Sequence, residues 1–227
     1  ACPPKRVRRR NRGGYFLCAP ADGVEILAAV REAVPEEIPT TLKLRRGYDD
    51  SEQSVENFYT IFDCAVELGY LWTTVHGRSV EQRYNGPSRW SFLKELVQLR
   101  PEALIFGSGD IWNAEDIFKM MQETGVKGVS VARGCIGNPW IFAQAKAMMN
   151  GKEPTDPTID EQRKALMLHF DLCKDLHGEQ KASRLMRKFG ISFSSHHPKA
   201  EEVRKEFIKI KSAGEWMQVL DTHYCVS

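Results

Sequence analysis

Basic side chains stand at the ends of two neighbouring apolar runs, at a spacing that could concentrate positive charge. Lys43 and Arg45 close the first run, and His76 and Arg78 follow the second. Residues two apart on a strand point to the same face, so each pair is directed to one side of a sheet. Together the four groups would form an electropositive mouth that suits a phosphate, a reduced flavin or a uracil carbonyl. A single such residue is usually solvated or structural, but the convergence of four predicts a functional site.

Glycine-rich segments follow the next two apolar runs. They are Gly107–Asp110 (GSGD) and Ala132–Gly134 (ARG), with Gly137 shortly after the second. Glycine lets backbone N–H groups approach an anion closely, and the start of a following helix adds a favourable dipole. In a (β/α)8 barrel, the usual phosphate site lies at the loops after the last two strands. The two segments therefore predict a phosphate site.

Four β/α units can be identified from Ile38 onward, because short apolar runs alternate with longer amphipathic segments. The predicted strands are Thr40–Leu44, Tyr70–Val75, Ala103–Phe106 and Gly128–Val131. The intervening segments are predicted to be helices, among them Ser54–Leu68 and Asn113–Glu123, and another helix, Asp22–Val34, precedes the first strand. This order predicts an α/β fold with a parallel sheet, and chemistry at the strand exits.

The segment 151–158 (GKEPTDPT) concentrates turn formers and prolines and is predicted to be a linker. Beyond it, residues 159–227 contain no convincing β-run. At least three helices are predicted there, over Ile159–Leu176, Lys181–Phe189 and Glu201–Lys211. The sequence thus predicts a small all-helical domain at 159–227 after a larger α/β domain at 1–150.

Composition narrows the class of protein. The chain has 227 residues, 42% of them hydrophobic, which is enough for one sizeable core or for a larger domain with a smaller one appended. The six cysteines form no CxxC pair and no Cys/His cluster at metal-ligand spacing, so we expect no metal site and reduced thiols in a cytoplasm. No stretch approaches the roughly 20 apolar residues that span a bilayer, so no membrane partner is expected.

Positive charge is concentrated in two places although the formal net charge is only +2. One cluster lies within residues 5–12 and the other is a run without intervening acids, Lys181, Arg184, Arg187 and Lys188. Such patches can neutralise nucleic-acid phosphates. A charge run is more often a solvated face, so the patches alone leave RNA binding open.

Five segments resemble the tRNA-dihydrouridine synthases, in that family's order. They are CPPKRV at 2–7, TLKLRRG at 41–47, TVHGRSVEQRYNGPSRW at 74–90, GSGD at 107–110 and VARGCIGNPWIF at 131–142. The resemblance implies a flavin-dependent enzyme whose fold is α/β: the later half of a (β/α)8 TIM barrel followed by a small all-α domain. Residues 1–150 would be the part with the fifth to eighth strands, and the first half would lie before residue 1.

The resemblance also implies roles for individual residues. Cys2 resembles the catalytic cysteine, the general acid that protonates C5 of uracil. Arg45 and Arg78 would face the flipped uracil and the adjacent RNA. The residues implied to contact FMN, through its ring or its phosphate, are Lys43, His76, Ser108, Gly109, Asp110, Ala132 and Arg133. Many family members have Asn and Gly where this chain has Ser108 and Ala132, and backbone contacts to a phosphate should survive both changes.

The activity implied is an NADPH- and FMN-dependent reduction of the C5–C6 bond of specific tRNA uridines, with tRNA held by the helical tail through Lys181, Arg184, Arg187 and Lys188. Two alternatives remain open at this point. One is an FMN-dependent barrel oxidoreductase that acts on a small pyrimidine-like molecule. The other is a non-catalytic half-barrel that binds RNA or pairs through its sheet edges. The target uridine and the oligomeric state cannot be read from the sequence.

Overall fold

The computed structural model describes residue 7 and residues 9–225, which fall into two compact units. The first unit ends at Ala132 and the second begins at Arg133. Each is held together by its own buried apolar side chains. Cys2 lies outside the described residues, so its predicted role stays a prediction.

A four-stranded parallel sheet forms the centre of the first unit. Its strands are β1 (Thr41–Arg45), β2 (Trp72–His76), β3 (Ile105–Ser108) and β4 (Gly128–Ser130), and they are hydrogen-bonded in that order. Parallel neighbours need a crossover connection, and a helix supplies one between each pair. The α/β class and the parallel sheet predicted from the sequence are confirmed.

Within residues 9–132 the first unit has four α-helices: α1 (Pro20–Ala33), α2 (Glu52–Glu67), α3 (Trp90–Leu99) and α4 (Ala114–Thr124). A 3-10 helix, Gly13–Leu17, precedes them. Local signals set the ends: the Ser51 side chain accepts a hydrogen bond from Ser54 N–H at the start of α2, and Asn113 forms a capping box with Asp116 at the start of α4. Gly125 then ends α4 with a φ of 79°, a conformation that favours glycine.

The helices cover one face of the sheet. Phe58 and Phe62 of α2 are completely buried, and the Phe58 ring lies 5.1 Å from that of Phe92 on α3. Gly107 of β3 lets α4 approach, because a Cβ there would stand 2.5 Å from Sδ of Met120. The burial of these side chains supplies the main stabilisation of the unit.

The second unit is helical in its described part. Its helices are α5 (Ile141–Met149), α6 (Ile159–His177), α7 (Glu179–Phe193), α8 (Ala200–Lys209) and α9 (Ala213–His223), with 3-10 helices at Arg133–Cys135 and Ser194–His196. Segment 151–158 has no regular structure, and its last residue, Thr158, caps α6 through a capping box with Glu161. The core gathers Phe170, Phe207 and Trp216, with Phe170 stacked on Trp216 at 5.3 Å.

None of the described helices is long and apolar enough to cross a membrane. The placement of the sheet within an eight-stranded barrel, and of residues 159–227 as a separate domain, stay predictions.

Candidate functional site

One row of the sheet carries the polar side chains predicted from the sequence. Arg45 is paired with His76, and His76 with Ser108, across three adjacent strands. Residues paired in this way point to the same face, and Lys43 shares that face because it lies two positions before Arg45. The helices cover the opposite face, where Val75 and Gly107 pair. The sheet therefore brings Lys43, Arg45, His76 and Ser108 together on the face away from its helices.

His76 is held as a neutral imidazole. Burial is the largest of the effects that lower its pKa to about 3; the positive charges of Arg45, Arg78 and Lys43 add to it, and Asp110 opposes them. The backbone N–H of Arg78 donates to His76 Nδ1 at 3.1 Å. Because that nitrogen accepts, the ring proton belongs on Nε2. His76 thus presents a hydrogen-bond donor without a charge.

The ammonium group of Lys43 loses its proton more readily than that of an ordinary lysine, because its pKa is lowered. Desolvation lowers its pKa, and the neighbouring Arg45 guanidinium lowers it further. A bound anion or an electron-rich carbonyl would oppose both effects by stabilising the ammonium form.

The loop of residues 77–89, here called the anchored loop, is held by two arginines at the end of β1, the last residue of the strand and the one after it. Arg45 Nη1 donates to the carbonyls of Ser79 and Arg83, at 2.7 and 2.9 Å. Arg46 Nε donates to the Gly77 carbonyl at 3.0 Å. Both arginines are buried, at 4% and 2% exposure. Main-chain carbonyls bonded to a charged donor are strongly fixed, so the loop is a rigid part of the site.

Arg78 and Asp110 join the anchored loop to the exit of β3. Arg78 Nη2 lies 2.7 Å from both carboxylate oxygens of Asp110, and the backbone N–H of Ser88 donates to the same carboxylate at 2.7 Å. Trp90 Nε1 donates to the carbonyl of Gly109 at 3.0 Å. The guanidinium of Arg78 is buried, so it turns inward to the protein rather than to solvent.

Gly109 supplies a bend that a side chain would block. Its φ is 116°, and a Cβ there would collide with Oγ of Ser88 and lie 3.1 Å from Cε1 of His76. Among the described residues, the Ser88 hydroxyl and Nη1 of Arg78 are buried without a hydrogen-bond partner. Buried donors without a partner are rare and mark a place where a ligand or an ordered water fits.

The other predicted phosphate residues follow β4 along the chain. Ala132 ends the first unit, and Arg133 begins the second as the first residue of its 3-10 helix. Within the described part of the chain, no group of three His, Cys, Asp or Glu residues could hold a metal ion.

The four predicted RNA-contact residues of the tail lie on α7. Lys181, Arg184, Arg187 and Lys188 are all exposed, and no ion pair with any of them is found among the described residues. At 3.6 residues per turn their spacing places them within about a third of the helix circumference. Met186 and Gly190 are buried on the other side. We call these four residues the basic stripe.

Three residues of the site were not singled out from the sequence: Arg46, Ser88 and Trp90. All three lie inside segments that carry the family resemblance, TLKLRRG and the long segment ending in SRW. Arg46 and Trp90 donate to backbone carbonyls of other segments, and the backbone N–H of Ser88 donates to the Asp110 carboxylate. A motif does not reveal such contacts.

Comparison with known proteins identifies the class. A family model described as dihydrouridine synthase matches residues 1–226. The chain belongs to the dihydrouridine synthase family.

Individual relatives agree with this assignment. The chain is similar to a probable tRNA-dihydrouridine synthase of Mycobacterium leprae, with 32% identity over 216 residues, which cover 94% of this chain and 56% of the relative. A relative of the same name from Mycobacterium tuberculosis (strain H37Rv) is 32% identical over 97% of this chain and 56% of its own length. One from Rickettsia typhi is 31% identical over 98% of this chain and 69% of its own length. The chain spans little more than half the length of the mycobacterial relatives.

Proposed function

We propose that the chain is the later part of a flavin-dependent tRNA-dihydrouridine synthase, an oxidoreductase that reduces the C5–C6 bond of uridines in tRNA. The observation that carries the proposal is the row of Lys43, Arg45, His76 and Ser108 on one face of the sheet, in a chain of this family. In this proposal β1 to β4 are the fifth to eighth strands of a (β/α)8 barrel. Residues 159–227 then form a helical tRNA-binding domain of a cytoplasmic enzyme.

The residues of the site fit an FMN. A flavin ring carries electron-rich carbonyls and nitrogens, and its phosphate is an anion, so the group needs donors and positive charge. The site offers the ammonium of Lys43, the Nε2–H of His76 and the unpartnered buried donors of Arg78 and Ser88. The bend at Gly109 leaves room that a Cβ would fill. The proposed FMN-binding residues are Lys43, His76, Ser108, Gly109, Asp110, Ala132 and Arg133, with Ser108, Gly109 and Asp110 acting through their backbone N–H groups.

The chemistry that a bound FMN supplies, after reduction by NADPH, is hydride donation to C6 of the uracil. The protein must hold the flavin in place and stabilise the charge that develops on it. His76 is neutral and donates from Nε2, so it can hydrogen-bond to a flavin acceptor without neutralising a negative charge that develops there. The ammonium group of Lys43 supplies the positive charge that balances this negative charge. Binding of such a ligand would raise the pKa of Lys43 back toward its usual value.

The second half of the reduction needs a proton at C5. We propose Cys2 as the general acid, which requires its thiol to be protonated at the moment of transfer. The base must also leave its stack to reach the site. Arg45 and Arg78 are proposed to act on the RNA side by shaping the anchored loop, because their guanidiniums are buried against its carbonyls.

We propose that the basic stripe binds the phosphates of tRNA. Its four cations have no acidic partner among the described residues, so they are available to phosphates. Contacts of this kind fix the position of the nucleic acid and carry no sequence information themselves. The stripe would set how tRNA lies over the flavin and not which base is chosen.

The decisive experiment combines a spectrum with a product assay. The purified chain is mixed with FMN, and flavin absorbance that stays with the protein after gel filtration is measured. It is then incubated with NADPH and either unmodified tRNA or free uridine, and the product is analysed for the gain of two hydrogens by mass spectrometry. The proposal predicts bound flavin and reduction of tRNA uridine only.

The other outcomes separate the alternatives. Reduction of free uridine would favour an FMN-dependent oxidoreductase of small pyrimidines. A colourless chain that binds tRNA would favour a non-catalytic RNA-binding module. Because the chain spans 56% of its mycobacterial relatives, the colourless outcome is followed by the same assay on a polypeptide extended to their full length.

A further inference from the structure

We propose that Asp110 is a positioning residue that acts through Arg78 to fix the imidazole of His76 with its proton on Nε2. The proposal deepens the proposed function and rests on it for the meaning of the His76 donor, since His76 faces FMN only if FMN binds. The fixing of the ring itself is a property of the chain alone.

The first link is the ion pair by which Asp110 fixes the Arg78 side chain. Nη2 of Arg78 lies 2.7 Å from each carboxylate oxygen, and Nε and Nη2 both donate to the Gly86 carbonyl, at 3.0 and 2.7 Å. The carboxylate is itself fixed by the backbone N–H of Ser88. Charge-assisted bonds at both ends leave the buried guanidinium little freedom.

The second link runs through the Arg78 main chain. With its side chain fixed, the backbone N–H of Arg78 lies 3.1 Å from Nδ1 of His76 and donates to it. A nitrogen that accepts a hydrogen bond cannot carry the proton of a neutral ring, so Nε2 carries it.

In the second unit, His197 accepts the same kind of hydrogen bond at Nδ1, and there the partner of Nε2 is seen. The backbone N–H of Lys199 donates to Nδ1 of His197 at 2.9 Å, two residues earlier in the chain. Nε2 of His197 lies 2.8 Å from the carbonyl oxygen of His223, which can only accept. A backbone N–H at position i+2 therefore goes with a donating Nε2. By the same argument, Nε2 of His76 is a donor.

The carboxylate of Asp110 also has no favourable place beside an anion. A phosphate held near Gly109 would repel it, whereas Arg78 neutralises it. Its backbone φ of 58° lies in the left-handed region, which Asp, Asn and Gly adopt most readily. Both facts agree with a side chain that holds Arg78 rather than one that contacts the phosphate.

The test is the nitrogen spectrum of His76 in the full chain without flavin. Asp110→Gly removes the carboxylate and tolerates the positive φ, and Asp110→Asn keeps an acceptor without the charge. The matched control is Asp63→Ala, which breaks another Arg–Asp pair, with Arg100, at the same 2.7 Å distances. The 15N resonances of the His76 ring are assigned by comparison with His76→Gln.

In the unsubstituted chain and in Asp63→Ala we expect Nδ1 unprotonated and Nε2 protonated. In Asp110→Gly both resonances should move toward the averaged positions of a ring that exchanges tautomers, and Asp110→Asn should lie between. A His76 spectrum in folded Asp110→Gly identical to that of the unsubstituted chain overturns the proposal. If Asp110→Gly does not fold, the same comparison is decided by Asp110→Asn.

A flavin readout separates this inference from the proposed function. We expect Asp110→Gly to weaken FMN binding about tenfold, with Asp63→Ala unchanged. If neither the unsubstituted chain nor the extended polypeptide binds FMN, the proposed function fails while the nitrogen spectrum still decides the role of Asp110. If FMN binds equally well to Asp110→Gly although the His76 tautomer has changed, the ring is positioned by Asp110 but does not contribute to flavin binding.

Discussion

Arg45 Nη1 donates to the main-chain carbonyl of Ser79 at 2.7 Å, across 34 residues of sequence. The same nitrogen reaches the carbonyl of Arg83, and the guanidinium carbon lies 5.6 Å from the centre of the Tyr84 ring. One buried side chain of β1 therefore sets the path of the anchored loop. The consequence is that this loop and β1 should lose stability together.

Arg45→Ala is expected to destabilise the chain by about 2–3 kcal/mol, because two carbonyls lose a charged donor. Urea unfolding measures the change, and hydrogen exchange should increase at residues 79–83. Arg89→Ala is the matched control, because Arg89 pairs with Asp50 while half-exposed and should cost less than about 1 kcal/mol. Equal effects of the two substitutions would contradict the anchoring role.

Gly109→Ala is expected to destabilise by at least about 2 kcal/mol and to weaken FMN binding, since it adds strain at positive φ and a collision with Ser88. Gly69→Ala isolates the strain, because Gly69 has a φ of 77° and no atom within 4 Å of an added Cβ. That control should cost about 1 kcal/mol and leave FMN binding unchanged. Thermal unfolding and a flavin titration measure both, and equal stability losses would argue against the collision.

His76 should make stability depend on pH. Its pKa is lowered on folding from 6.5 to about 3, so the unfolded chain binds the proton more tightly. The stabilising contribution is therefore complete above about pH 6.5 and is lost as the pH falls toward 3. Urea unfolding at several pH values should show a shallower decline for His76→Gln than for the unsubstituted chain. His177→Gln controls for the loss of a histidine as such, and an unchanged slope in His76→Gln would refute the expectation.

Removal of the basic stripe should weaken tRNA binding and reduce its salt dependence. Alanine at Lys181, Arg184, Arg187 and Lys188 should lower the slope of log affinity against log salt by roughly 3–4. FMN absorbance should be unchanged. The matched variant replaces four exposed lysines elsewhere, Lys94, Lys119, Lys127 and Lys146, so that net charge changes equally. Unchanged tRNA affinity in the stripe variant would rule out the proposed grip.

Two helix glycines should respond in opposite directions. Gly190 of α7 faces the buried ring of Phe207, and an added Cβ would lie 2.6 Å from its Cε1 atom. Gly214 of α9 has open space around it. Gly190→Ala should destabilise by about 1–3 kcal/mol through overpacking, whereas Gly214→Ala should stabilise by roughly 0.5–1 kcal/mol through helix propensity. Thermal unfolding gives the signs, and two changes of the same sign would contradict the packing seen at Gly190.

The sequence predicted the positions of the strands and helices better than the contacts between residues. All four strands lie where the apolar runs predicted them, with ends displaced by at most two residues, because the pattern reports burial and not hydrogen bonding. Among the described helices of residues 159–225, α9 was not among the three predicted segments. Its signals were present in Ser212 followed by Glu215, a capping pattern, and in Trp216, Val219 and Leu220 at helical spacing.

The sequence predicted the site residues only where they lie at the ends of strands. Lys43, His76 and Ser108 are adjacent because parallel strands end on one edge. The burial of Arg45 and Arg78 could not be read, since their partners are carbonyls of a distant loop and a carboxylate 32 residues away. A sequence shows that an arginine is present and not whether its guanidinium faces water.

The paired row of the sheet has a consequence for engineering this protein. Side chains alternate between faces, so inserting or deleting a single residue inside β2 would place Val75 or Gly77 beside Arg45 and turn His76 into the helical layer. Such a change would erase the site while leaving composition and secondary structure almost intact. Insertions should therefore be tolerated in segment 151–158 and rejected in the strands, which makes a length scan a sensitive map of where chemistry depends on register.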